Sequence, residues 1–151
     1  MNYPTLFAAL LCGTLLLPCA AMAGGTQEPA AMAAEPAIKV VYHINDASVA
    51  RVALRNIENH LDASPGVKIV VVTHGKGIDF LLNDAKDEKG AYEPQVAGLR
   101  DRGVTFDVCR NTLKSRKLND GAVIMEAQVV PAGVAEIARL QAREGYVYLK
   151  P

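Results

Sequence analysis

Cys109 sits in Val104-Thr105-Phe106-Asp107-Val108-Cys109-Arg110-Asn111-Thr112, where a β-branched run gives way to polar and basic residues. A strand ending at the cysteine and a helix beginning after it would bring unpaired N–H groups and the positive end of the helix dipole to the sulfur. Both favour thiolate, the nucleophilic form. Arg110, Lys114 and Arg116 add positive charge in the same stretch. The alternatives are a small core residue, an intermolecular crosslink or a metal ligand. The chain has three cysteines, but Cys12 and Cys19 fall in an N-terminal segment that carries the marks of removal. A mature chain left with one thiol has no internal disulfide partner for it.

His43 and His74 are the other side chains suited to chemistry, each at the end of an apolar run. Together with Cys109 they form a set that copper or zinc accepts. Histidines at strand ends more often hydrogen-bond backbone or loop groups, so neither metal nor cofactor is expected. Gly75-Lys76-Gly77 lacks the upstream glycine and the following Ser or Thr of a phosphate loop, and a dinucleotide fingerprint would need a third glycine near Phe80. Asn83 to Gly90 lacks the carboxylate spacing of a calcium loop. Asp46, Asp79 and Asp107 are scattered, with nothing to pair them for hydrolysis.

The elements that must position these residues follow from periodicity. Ile38 to Ile44 reads as a strand, with Asn45 and Asp46 as helix caps behind it. Val49, Ala53, Ile57 and Leu61 recur at i+4, predicting a helix over Ser48 to Leu61. Val67 to Thr73 is a nearly continuous apolar strand, of the kind covered on both faces. A short helix is expected at Ile78 to Leu82, a solvated charged loop at Asn83 to Gly90, and a helix from Pro94 to Arg102 stopped by Gly103. Val104 to Val108 is a third strand and Asn111 to Lys117 a helix, while Asp120 to Ala127 carries no clear pattern. Gln128 to Val130 is a fourth strand, Gly133 to Glu144 a helix, and Tyr146 to Leu149 a closing strand. Alternating strands and helices predict one small α/β domain: a mainly parallel sheet of about five strands with helices on both faces. Ligands in such sheets bind at the carboxyl ends of the strands. That rim is where His43, His74, Cys109, Arg110, Asn111 and Thr112 would meet.

Leu6 to Leu17 is apolar but short for a membrane span, and Ala21-Met22-Ala23 follows as a small-x-small cleavage pattern. Residues 1–23 are read as a signal peptide, 24–36 as an Ala/Pro-rich linker and 37–151 as the domain, with a periplasmic or secreted destination. The 16 basic and 16 acidic residues all lie after residue 23, so the processed chain stays formally neutral. With no basic stripe and no aromatics interleaved with Lys and Arg, neither a nucleic-acid surface nor, after cleavage, a membrane segment is expected.

Cys109-Arg110-Asn111-Thr112-Leu113-Lys114-Ser115-Arg116 resembles the active-cysteine segment of DsrE/DsrF-like proteins, which include the Tus sulfur-relay subunits. Val130-Pro131-Ala132-Gly133-Val134-Ala135-Glu136-Ile137 and the ending Glu144-Gly145-Tyr146-Val147-Tyr148-Leu149-Lys150-Pro151 are similar to the C-terminal signature of that family's exported branch, and His74-Gly75 and Asn59-His60 fit as well. The resemblance implies a small α/β domain that assembles into trimers or hexamers. It also implies an exported sulfur carrier or sulfurtransferase-like protein, with Cys109 taking sulfur as a persulfide between donor and acceptor proteins. Two other readings remain: an oligomeric module that binds a small ligand or metal at the rim through His43 and His74, and a structural subunit whose thiol is incidental.

Overall fold

A computed structural model describes residues 37–151. The expected signal peptide and linker lie outside the described residues. Five parallel strands form the main sheet: β1 (Lys39–Ile44), β2 (Lys68–Thr73), β5 (Thr105–Cys109), β6 (Gln128–Val130) and β7 (Val147–Leu149). Their order is β6-β5-β2-β1-β7. A separate two-residue antiparallel pair joins β3 (Lys86–Asp87) and β4 (Gly90–Ala91).

Strand alternation sorts the core into two layers. Val40, Tyr42 and Ile44 of β1, Ile69 and Val71 of β2, and Phe106 and Val108 of β5 belong to one cluster. It also contains Leu54 and Ile57 of α1 (Ala50–Ala63), Val96 and Leu99 of α2 (Glu93–Asp101) and Leu113 of α3 (Arg110–Ser115). Val41, Val70 and Val72 turn to the other face, against Ile137 and Leu140 of α4 (Gly133–Glu144). Each such side chain taken from water contributes about 1.5–3 kcal/mol. β2 is apolar on both faces because it lies mid-sheet with helices on both sides.

The topology explains this unequal layering. From β1 through β2 and β5 to β6 the chain steps outward, crossing each time on the face of α1, α2 and α3. It then returns through α4 on the opposite face and sets β7 against β1 at the far edge. The helices that follow neighbouring strands β5 and β6 therefore leave toward opposite faces.

Local signals act largely as read from the sequence. Asp46 accepts the Ser48 N–H at 2.9 Å and opens a 3-10 turn, Ala47–Val49, ahead of α1. Because that turn winds more tightly than an α-helix, the buried stripe of α1 is Ala50, Ala53, Leu54 and Ile57, with Val49 and Leu61 only partly buried. Gly145 ends α4 in the left-handed region, at φ 73°. Two segments differ from expectation. Gly75–Leu81 is a long 3-10 helix rather than a short helix from Ile78. Residues 83–90, expected as a solvated loop, carry β3 and lead into β4, and Arg51 latches them. Its guanidinium donates to both Asp87 carboxylate oxygens at 2.9 Å and to the carbonyls of Gly90 and Ala91. It also stacks on Tyr92, 4.0 Å from the ring centre. The patternless stretch after Asn119 forms a 3-10 turn, Asp120–Ala122, and an antiparallel bridge from Val123 to Leu82.

Candidate functional site

Cys109 is the last residue of β5 and the N-cap of α3. β6 lies beside it, with Cys109 in register with Val130, three residues before α4 begins. Since α3 and α4 leave to opposite faces, the cysteine stands at the crevice where the strand connections diverge, the usual ligand position in open α/β sheets. It is 6 % exposed.

Two helix starts consequently aim donors at one sulfur. Burial is the largest single influence on the thiol and pushes its pKa up. The Gly133 N–H from α4, the Thr112 hydroxyl and the N–H groups of Thr112 and Asn111 from α3 work against it. Together they win, and the pKa falls below that of an ordinary cysteine.

The expected binding residues take distinct places. Asn111 and Thr112 face the sulfur as just described. Thr112 also accepts the Gly75 N–H at 3.1 Å on its hydroxyl oxygen, leaving the hydroxyl proton free for the sulfur. Arg116 donates to the Gly75 carbonyl at 2.9 Å and pairs with Asp79. Both polar groups of Gly75 are thus held from α3, which fixes the loop that carries His74. Arg110, adjacent to the cysteine in sequence, turns its guanidinium to Asp120 at 2.7 Å. With Arg110 and Arg116 both paired to carboxylates, backbone and hydroxyl donors rather than basic side chains favour the thiolate.

Gly75 and Gly77 are there for backbone reasons. Gly75 has φ +59°, and a Cβ on Gly77 would lie 2.0 Å from the Ile44 carbonyl oxygen. The 3-10 segment after His74 can pass the end of β1 only without a side chain at 77. Gly133 is similarly confined: a Cβ there would stand 3.2 Å from the Thr73 oxygen, 3.3 Å from Cys109 Cβ and 3.4 Å from His74 Cβ. This glycine, absent from the sequence-derived site, brings α4 against both Cys109 and His74. The hint for it was a glycine in the first turn of a helix, where a side chain would have served the helix better.

His43 and His74 do come together. Their Nε2 atoms are 2.6 Å apart, and His43 Nδ1 is 2.7 Å from the Tyr148 hydroxyl. Two imidazole nitrogens sharing a zinc ion stand about 3.3 Å apart, given bonds of 2.0–2.1 Å in tetrahedral geometry. The observed spacing fits a shared proton. Among the described residues no group of three or more His, Cys, Asp or Glu is placed to hold a metal ion. Tyr148 was not a sequence candidate, because its place depends on β7 pairing with β1.

One further ionisable group lies below the rim. Asp107, two residues before Cys109 and 2 % exposed, accepts the Gln128 amide at 2.7 Å from the neighbouring strand. Burial pushes its pKa up to about 6 against that bond.

A solved protein of unknown function from Methanobacterium thermoautotrophicum, MTH1491, is 30% identical and superimposes with a TM-score of 0.69, covering 76% of this chain and 99% of that one. No curated protein matches the sequence. The family model for the DsrE/DsrF-like family matches residues 30–151, which take in every strand, helix and rim residue described above. The chain belongs to the DsrE/DsrF-like family.

Proposed function

We propose that this protein is an exported, thiol-based sulfur carrier in which Cys109 accepts sulfane sulfur as a persulfide and hands it on. The observation that carries the reading is the convergence of donors from α3 and α4 on a sulfur whose pKa lies below the ordinary cysteine value. Membership of a family associated with sulfur relay supports it. In the loading step the Cys109 thiolate attacks the outer sulfur of a sulfane donor. A new Sγ–S bond forms, the donor's S–S bond breaks, and the electron pair leaves with the donor's remaining sulfur. Unloading is the same displacement by an acceptor thiolate on the outer sulfur, which returns Cys109 as thiolate. The donors around Sγ stabilise the anion at both ends of this cycle.

Export rests on the apolar run and Ala21-Met22-Ala23, with processing after Ala23 and a periplasmic or secreted destination. Among the described residues no helix is long and apolar enough to cross a membrane. Self-association as a trimer or hexamer, and partners that donate and accept sulfur, complete the proposal.

Intact-mass measurement after incubation with thiosulfate or polysulfide tests the chemistry. One added sulfur, removed by reductant and absent in Cys109→Ser, is the expected result. Reaction of Cys109 with a small alkylating agent only in denaturant would identify a core residue and end the sulfur-carrier reading.

A further inference from the structure

The chain Tyr148–His43–His74 lies at the same rim and takes no part in the displacement just described. The two imidazole rings meet nearly head-on: their centres are 4.7 Å apart and their planes 30° from parallel, with Nε2 facing Nε2 at 2.6 Å. A neutral imidazole offers one N–H and one lone pair, so a contact this close holds one proton. Two directions satisfy it: the Tyr148 hydroxyl donates to His43 Nδ1 and His43 Nε2–H to His74 Nε2, or both bonds run the other way. An added proton makes one imidazolium, which donates across the same contact, while His43 Nδ1–H donates to the Tyr148 oxygen. A second added proton would set two cationic N–H groups against each other. The chain therefore has a capacity of one.

Its position gives that capacity a use. His74 and Cys109 flank the same glycine, each Cβ within 3.4 Å of the point a Gly133 side chain would occupy. We propose that Tyr148, His43 and His74 form a one-proton store coupled to Cys109, so that ionisation of the thiol and protonation of the imidazole pair favour one another. When the thiol loses its proton to solvent and the pair gains one, the rim changes no net charge, and no electrons move. His43 and His74 act here as positioning residues through charge. The inference rests on the reading of Cys109 as a working thiolate.

The surrounding charges leave the thiolate as the partner. Lys150, just beyond β7, disfavours a proton on His43; burial, the larger influence, and His74 act in the same direction. On the His74 loop, Lys76 faces Asp46, and Asp79 is taken by Arg116. On β5, Asp107 is turned to Gln128, with Glu136 and Arg139 of α4 nearby. Arg110 is held by Asp120. Lys76, Asp79 and Arg110 each have an opposite charge to face, which leaves Sγ as the anion of this rim that comes and goes.

Imidazole NMR titration of the wild type and of Cys109→Ser, a one-atom change, gives the direct test, with His60 as internal reference. His43 and His74 should move together in a single step, as strongly interacting sites do, and Cys109→Ser should displace that step to lower pH. In parallel, the pH profile of Cys109 alkylation by iodoacetamide should lose an inflection and slow several-fold near pH 6 in His74→Gln, with His60→Gln unchanged. Independent titration of the two rings, or a step that Cys109→Ser leaves in place, overturns the store. Neither readout requires sulfur transfer. Failed persulfide loading with intact coupling would therefore sink the carrier reading alone.

Discussion

At the scale of single residues, the site turns on which atoms face the sulfur. The Thr112 hydroxyl has two duties, accepting from Gly75 and donating to Cys109. Thr112→Ala removes a hydrogen bond to an ion, about 1.5 kcal/mol and about tenfold in the thiolate-to-thiol ratio. Alkylation at pH 7 should slow accordingly, while Thr112→Ser keeps the rate. Asp107 supplies a prediction of opposite sign. Its folded-state pKa of about 6 stands above the usual 3.8, so the folded protein binds the proton more tightly than the unfolded chain. The stability this confers is full below about pH 4 and is lost as pH rises through about 6. Denaturant melts should show that decline. Asp107→Asn, which keeps an acceptor for Gln128, should flatten it and raise stability at pH 7.5 by up to about 3 kcal/mol. An unchanged pH profile in the variant would mean that another group is responsible.

Elements hold the site through close backbone approach and one cationic latch. Gly77→Ala forces a Cβ into the end of β1, 2.0 Å from the Ile44 oxygen, and the 3-10 segment after His74 must move. A loss of about 3 kcal/mol is expected, read as a lower melting temperature. Gly66→Ala tests the other kind of glycine: open space surrounds it, but its φ of +87° strains any side chain, and the cost should be nearer 1 kcal/mol. The β3–β4 pair depends on Arg51. Arg51→Met removes the donors to Asp87, Gly90 and Ala91, and trypsin should then cut after Lys86 and Lys89 much faster. Asp87 has its pKa held at about 2, chiefly by its hydrogen bond from Arg51. The latch is therefore complete above the usual 3.8 and weakens only as pH falls through about 2, so the protease resistance of the wild type should be level from pH 7 down to pH 4.

For the whole molecule, the sheet ends in two edges of three residues each, β6 and β7. β7 exposes Val147 by 62 % and Tyr148 by 41 %, and Met125, three residues before β6, is 90 % exposed. Exposed apolar side chains at an unpaired strand edge favour contact with a further chain. Light scattering on a reduced sample should return a multiple of the monomer mass, with a trimer or hexamer expected. A monomer at micromolar concentration would refute the assembly. N-terminal sequencing of native protein should begin near Gly24, and an intact Met1 in the mature form would restore Cys12 and Cys19 as possible partners of Cys109.

The sequence by itself determined the elements and the place of the thiol at the end of a strand. Val40 to Ile44 and Ile69 to Val72 declare strands, and Ala53 and Ile57 a helix face, because side-chain period along one element is a local property. The turn from β5 into α3 is local in the same sense, so Cys109, Asn111 and Thr112 were legible together. Only the tertiary structure decided what surrounds them. Arg110 follows Cys109 in the chain, yet its side chain turns to Asp120, ten residues on. Gly133 reaches the sulfur because α4 leaves the sheet on the face opposite α3, and Tyr148 reaches His43 because the last strand returns to pair with the first. Arg51 and Asp87 meet across 36 residues for the same reason. Strand order is a choice among long-range pairings whose cost in chain entropy no short window of sequence contains, and the shared proton between His43 and His74 depends on that choice.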